Sequence, residues 1–132
     1  MDHPAGMLRI LTVDDSPATG RLLEVELGER GAVVIGHALS ADDAVRLAGA
    51  LAPELVVMDL HMPGADGVEA TRRIRERSSH VEVVAFTSDE APEVRERFVA
   101  AGASRVFHKG HPELLYDYVS HLLATGAGAD RA

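Results

Sequence analysis

Five short apolar runs alternate with five longer segments of helical periodicity, and no other feature of this sequence restricts the fold as tightly. The runs occupy residues 8–13, 32–38, 55–58, 81–87 and 104–108. The helical segments extend from 17 to about 30, from 41 to 51, from 67 to 77, from about 89 to 101, and from 112 to about 124. Leu55-Val56-Val57-Met58 is apolar throughout, the pattern of a strand covered on both faces. Strict strand–helix alternation predicts an α/β, doubly wound parallel sheet of five strands, with helices on both faces and right-handed crossovers.

The punctuation supports these boundaries. Ser16-Pro17 supplies a helix cap followed by proline at the first helical position. Ser40 opens the second helix and Asp66, with Glu69 three residues on, opens the third. Gly31 and Gly102 are placed to end the first and fourth helices. Pro53 separates the second helix from the third strand, and Pro112 opens the last helix. Ala44, Leu47, Ala48, Leu51, Val68 and Ile74 are expected to face inward, and the last helix runs through Leu114, Leu115, Tyr118, Val119 and Leu122. Arg72, Arg73, Arg75 and Arg77 on the third helix read as a solvated face rather than a basic docking patch.

At 132 residues the chain is expected to be one domain. Residues 1–6 read as a flexible leader, 7–124 as the domain, and 125–132 as a disordered tail or the stub of a linker. There is no cysteine, hence neither a disulfide framework nor a thiolate metal site. No apolar run approaches the roughly 20 residues of a membrane span, and the first residues lack the pattern of a secretory signal. The expected location is cytoplasmic. A net charge of −8 argues against nucleic acid as a partner of this chain. All basic residues but one are arginine. The single lysine, Lys109, is therefore a candidate for a position where a compact ammonium is needed and a planar guanidinium does not fit.

Asp59 stands at the end of the third strand, before Pro63-Gly64 breaks the chain into a turn. In an open α/β sheet, ligands bind outside the carboxyl ends of the strands. The same side receives Asp14 and Asp15 after the first strand, Thr87 after the fourth and Lys109 after the fifth. Carboxylates about 4 Å apart repel by roughly 4 kcal/mol per pair at an effective dielectric near 20. A hard cation, above all Mg²⁺, fits such an oxygen-only donor set. Carboxylate-held metal at a loop lip commonly serves phosphate chemistry. In that setting Thr87 can donate a hydrogen bond to a phosphoryl oxygen, Lys109 can supply a point charge, and one aspartate is free to act as nucleophile.

These residues, in this order, resemble the receiver domains of bacterial two-component response regulators. The motifs are Asp14-Asp15, Asp59-Leu60-His61-Met62-Pro63-Gly64 with Asp66-Gly67, Thr87-Ser88, and Lys109, and the likeness spans residues 8–124. The stretch from Asp66 to Ile74 is most similar to receivers joined to helix-turn-helix output domains. The resemblance implies a flavodoxin-like (βα)5 fold with strand order 2-1-3-4-5. It implies a phosphorylation-dependent signalling switch rather than an enzyme, with Asp59 as phosphoacceptor from a histidine kinase or histidine phosphotransfer protein. Mg²⁺ would be held by Asp15, Asp59 and the His61 main-chain carbonyl, with Asp14 acting through water or as a weaker ligand. Thr87 and Lys109 would bind the phosphoryl oxygens. The output partner would meet the fourth helix, fifth strand and fifth helix, and a dimer could be linked to phosphorylation.

The chain departs from the family pattern at Val106, where an aromatic residue is common, and at Gly110, where proline is common. His61 and Asp89 occupy variable positions beside the site. Two alternatives compete with this reading: the receiver half of a DNA-binding regulator, and a Mg²⁺-dependent phosphatase of the haloacid-dehalogenase type. The latter carries its nucleophile after the first strand in an Asp-x-Asp pattern, whereas here the two acids are adjacent. His108 and His111 lie close in sequence and read as surface residues rather than zinc ligands.

Overall fold

The computed structural model describes residues 7–126. The leader and positions 127–132 of the tail lie outside the described residues. The elements are β1 (Arg9–Val13), α1 (Pro17–Glu29), β2 (Val33–Ala38), α2 (Ala41–Leu51), β3 (Leu55–Met58), α3 (Gly67–Arg77), β4 (Glu82–Thr87), α4 (Pro92–Ala101), β5 (Arg105–His108) and α5 (Pro112–Ala124). All strand pairs are parallel and the sheet order is β2-β1-β3-β4-β5, as expected. β3 is central and pairs along its whole length, Leu55 to Met58, with both β1 and β4.

The period-two alternation of strand side chains divides the core into two layers. Leu11, Val13, Val56, Met58, Val83 and Ala85 pack with Ala44, Val45, Ile74, Val94 and Phe98 of α2, α3 and α4. Ile10, Leu55, Val57, Val84 and Phe86 pack with Leu23, Leu27, Leu115, Tyr116 and Val119 of α1 and α5. Val106 joins the first layer and Phe107 the second, so neighbouring residues of β5 serve opposite faces.

Local chemistry sets the helix ends. The side chains of Ser16, Ser40 and Asp66 accept the amides of Thr19, Asp43 and Glu69 at 3.3, 3.2 and 3.0 Å. Each satisfies one of the unpaired first-turn donors, worth about 1 kcal/mol. Gly31 and Gly102 adopt positive φ, 99° and 115°, just past α1 and at the end of α4. α2 ends differently, on Ala52 at φ 49°. The Arg9 guanidinium donates to the Ala52 carbonyl at 2.5 Å and to that of Leu51, occupying acceptors left open at this helix end.

One local expectation is corrected and two are refined. α4 begins at Pro92 and not near Asp89, because a residue preceding proline is pushed out of the helical region and Ala91 is extended (φ −62°, ψ 132°). Asp89 instead turns the loop, accepting the Ala91 amide at 3.0 Å. On α2 the expected Ala44 and Ala48 are deeply buried together with Ala41 and Val45, while Leu47 and Leu51 are only partly covered. On α5, Tyr116 is buried and Tyr118 half-buried. Arg72 and Arg73 form the expected solvated face of α3, Arg72 pairing with Glu69 and Glu76 and Arg73 with Asp42, whereas the part-buried Arg75 turns back to donate to the Ser79 and Val81 carbonyls. Among the described residues no helix is long and apolar enough to cross a membrane.

Candidate functional site

The parallel register brings the carboxyl ends of β1, β3, β4 and β5 to one edge of the sheet. The Asp59 amide continues the ladder by donating to the Val13 carbonyl at 3.0 Å, and the Asp14 amide does the same to Ala38 at 3.0 Å. The Lys109 amide donates to the Thr87 carbonyl at 3.0 Å. These three bonds carry the strand geometry past the last strand residues and set the functional side chains in one rim.

Asp14, Asp15 and Asp59 each offer a carboxylate oxygen, and these oxygens lie within 4.8 Å of one another. Among the described residues this is the group of acidic and histidine side chains able to hold a metal ion. Asp14 and Asp59 are buried and Asp15 is exposed. Lys109 Nζ reaches into the cluster, 2.5 Å from Asp14 Oδ2 and 3.4 Å from Asp59 Oδ1. The Ser16 amide holds the other oxygen of Asp14 at 2.8 Å.

Burial pushes the Asp59 carboxyl above the ordinary aspartate value. The Lys109 charge opposes this, the neighbouring Asp14 charge adds to it, and the Leu60 amide opposes it without cancelling the rise. Burial works against the Lys109 ammonium as well. There the hydrogen bond to Asp14 and the charges of Asp59 and Asp14 prevail, and the proton is held more tightly than on a free lysine. The ammonium thus offsets part of the acidic charge. The exposed Asp15 and the crowded, partly compensated Asp59 leave room for a further hard cation. An all-oxygen donor set fits Mg²⁺ and excludes softer, thiolate-seeking metals.

Two features keep Asp59 at this rim. Leu60 follows it into the core, and its carbonyl accepts the Gly67 amide at 2.9 Å, closing the loop onto the start of α3. Gly67 has no alternative: a Cβ there would stand 1.8 Å from the Asp59 carbonyl oxygen. The sequence showed Gly67 as part of a motif; the reason for it is this contact.

Thr87 is buried at the end of β4, and its hydroxyl oxygen accepts the Asp89 amide at 3.1 Å. The hydroxyl proton remains free to be donated. The His61 imidazole lies on the exposed rim of the loop after β3, with Nε2 3.5 Å from Asp89 Oδ2 across the mouth of the site. His61 and Asp89 were each visible in the sequence, but not their pairing, since they sit on loops after different strands. His108 and His111 have rings 6.2 Å apart and engage separate acids, Glu90 and Glu113, at 3.4 Å each. Next to Thr87, a cavity of about 170 Å³ opens between α4 and β5, lined by Asp89, Ala91, Arg95, Val106 and His108 among others. Arg95 reaches over it to donate to the Val106 carbonyl at 3.2 Å.

The family model described as the response regulator receiver domain matches residues 10–120. A protein-glutamate methylesterase/protein-glutamine glutaminase of Methanospirillum hungatei is 41% identical over 106 residues, covering 78% of this chain and 30% of that protein. The response regulator GacA of Pseudomonas aeruginosa is 35% identical over 109 residues, covering 79% of this chain and 49% of that protein. The matched part of the chain thus spans 30% to 49% of the length of these curated relatives. Among solved structures, a LuxR-family two-component response regulator from Aurantimonas sp. superimposes with a TM-score of 0.84 at 30% identity, over 95% of this chain and 94% of that one.

Proposed function

The chain belongs to the response regulator receiver domain family, and from that premise we propose that it is a signalling switch in which Asp59 accepts a phosphoryl group. The observation that carries the reading is the placement of Asp59: a buried carboxylate, raised in pKa, beside two further acids and within 3.4 Å of the single lysine. A carboxylate kept out of water and unevenly compensated is a more available nucleophile than a solvated one.

The donor is a phosphohistidine on a histidine kinase or a histidine phosphotransfer protein in the cytoplasm. An Asp59 oxygen attacks phosphorus, the P–N bond breaks, and the imidazole leaves with the electron pair and takes up a proton. Asp15, Asp59 and the His61 main-chain carbonyl would hold Mg²⁺, with Asp14 as a weaker or water-mediated ligand; the ion would supply positive charge against the acids and the incoming phosphoryl oxygens. Asp14 is the less suited nucleophile, because Lys109 and the Ser16 amide already engage its two oxygens. The same fact weighs against a phosphatase with its nucleophile after β1.

Lys109 shifts its hydrogen bonding from Asp14 toward a phosphoryl oxygen, and the Thr87 hydroxyl donates to another. Because Lys109 also bonds to Thr87 through the main chain, both respond together, and β5 with the α4 end of the 170 Å³ cavity follows. That face, with Val99 exposed on α4 and Val106 part-covered on β5, is where an output protein or a second phosphorylated copy would dock. The chain turns over no external substrate in this reading.

The test is intact-mass analysis after incubation with Mg²⁺ and acetyl phosphate, or with an active kinase. The wild type gains one phosphate and Asp59→Ala gains none. A wild type that stays unmodified by either donor would sink the reading.

A further inference from the structure

His37 lies on β2, the edge strand, with no place in the phosphoryl chemistry described above. Its imidazole nevertheless bridges three elements. Nδ1 lies 2.6 Å from the hydroxyl of Thr12, which is fully buried on β1. Nε2 lies 3.3 Å from the main-chain carbonyl of Ser16, the cap of α1. Both contacts are made at once by one tautomer, with Nδ1 accepting the Thr12 proton and Nε2–H donating to Ser16. The Thr12 hydroxyl has a second acceptor in reach, the Gly36 carbonyl at 3.4 Å, but the histidine nitrogen is far closer.

The ring also sets the composition of the helix it touches. A Cβ at Gly20 would stand 2.6 Å from the imidazole, so a glycine in the first turns of α1, costly to a helix, is explained by the space this ring occupies. Ser16 in turn holds the acidic loop. Its amide bonds Asp14 Oδ1 at 2.8 Å, its hydroxyl caps Thr19, and its carbonyl receives both Gly20 and His37. One residue further along β2, the Ala38 carbonyl receives the Asp14 amide.

We propose that His37 is a positioning residue for the metal site: by tying the Ser16 carbonyl to the sheet edge, it holds the Asp14–Asp15 loop in the geometry that binds a divalent cation. The proposal rests on the receiver reading above and adds to it a residue that touches neither the ion nor the phosphoryl group. The chemistry is directional. A side chain that keeps a donor where Nε2 stands preserves the tie, and one that keeps only the ring loses it.

The experiment is a calorimetric titration with Mg²⁺ alone, well below each variant's unfolding midpoint, alongside amide shifts of Asp15 and Ser16. His37→Phe retains the packing against Gly20 and weakens Mg²⁺ binding by roughly threefold to tenfold, the worth of one net hydrogen bond. His37→Gln, whose amide nitrogen can occupy the Nε2 position, recovers most of that loss; His37→Asn, too short to reach Ser16, does not. Gly20→Ala leaves the histidine in place but displaces its ring, and weakens Mg²⁺ binding to a similar degree. It does so although alanine favours the helix, which separates the effect from general loss of fold. Wild-type affinity in both His37→Phe and Gly20→Ala overturns the proposal and leaves the receiver reading intact. The same holds if glutamine recovers nothing. A wild type that binds no Mg²⁺ removes the receiver reading itself, and this proposal with it.

Discussion

The two halves of the site are built to different specifications. On the β1–β3 side, Asp14 and Asp59 are buried, their amides extend the sheet ladder, and Ser16 and Gly67 lock the loops behind them. On the β4–β5 side, Thr87 is buried but its partner strand is only partly covered. Lys109 crosses to the opposite half for its ion pairs, and the 170 Å³ cavity lies next to Thr87. A rigid half holds charges that repel, which needs a firm frame because the repulsion favours any movement that separates them. A half that is only partly covered and borders a cavity can exchange one packing for another at small cost, as a two-state element requires. In the proposed reading, metal binding and response thus fall to separate strands, joined by a single lysine.

The sharpest way to break this comparison is to damage the rigid half. Removing the exposed acid by Asp15→Asn should weaken Mg²⁺ binding by more than tenfold in calorimetry, a loss above about 1.4 kcal/mol. Titration indistinguishable from the wild type would mean that the acidic cluster is not the metal site. Lys109→Arg probes the join. The forked guanidinium is bulkier and wants planar, two-pronged partners, so phosphorylation should persist while coupling fails. On adding beryllofluoride and Mg²⁺, most of the amide shift change around Thr87 and Val106 should vanish. Wild-type shift changes there would show that the lysine does not link the halves.

The smallest effect concerns the strain of the acidic half. Burial raises the Asp59 pKa, so its folded value lies above its unfolded one. The folded state then binds the proton more tightly, and stability falls as pH rises from the ordinary aspartate value through the raised one. Lys109, whose proton is held tightly, stays charged across this window and contributes no change there. Asp59→Asn removes the titrating charge. In metal-free buffer its melting temperature should exceed the wild type's by a few degrees at neutral pH, and the gap should close in acid. A gap independent of pH would place the gain elsewhere than in the charge.

Much of this was legible in the chain because its signals are local. Ser16, Ser40 and Asp66 cap helices through amides three residues away, and the run from Leu55 to Met58 is apolar throughout. The beginning of α4 was misplaced for an equally local reason, a proline that outweighed the acidic residues before it. The pairing of His61 with Asp89, the bridge made by His37 and the contact that demands Gly67 were not legible. The first two depend on atoms from a different strand–helix unit, and the third on how the loop after β3 folds back onto Asp59.

By itself, then, the sequence determined the alternation of elements, the two-sided burial of β3 and the lining-up of Asp14, Asp15, Asp59, Thr87 and Lys109 at strand ends. Period and capping act within a few residues, and parallel topology carries every strand's carboxyl end to one side. Only the tertiary structure decided how those residues divide the work. Asp14 and Asp15 are adjacent and chemically identical, yet one is buried against Lys109 at 2.5 Å and the other faces solvent. That choice is made by a lysine 95 residues away and by the direction in which a single loop leaves β1. Side-chain direction in a loop follows from what packs behind it, here Ser16, His37 and Ala38, and no periodic pattern along the chain records that.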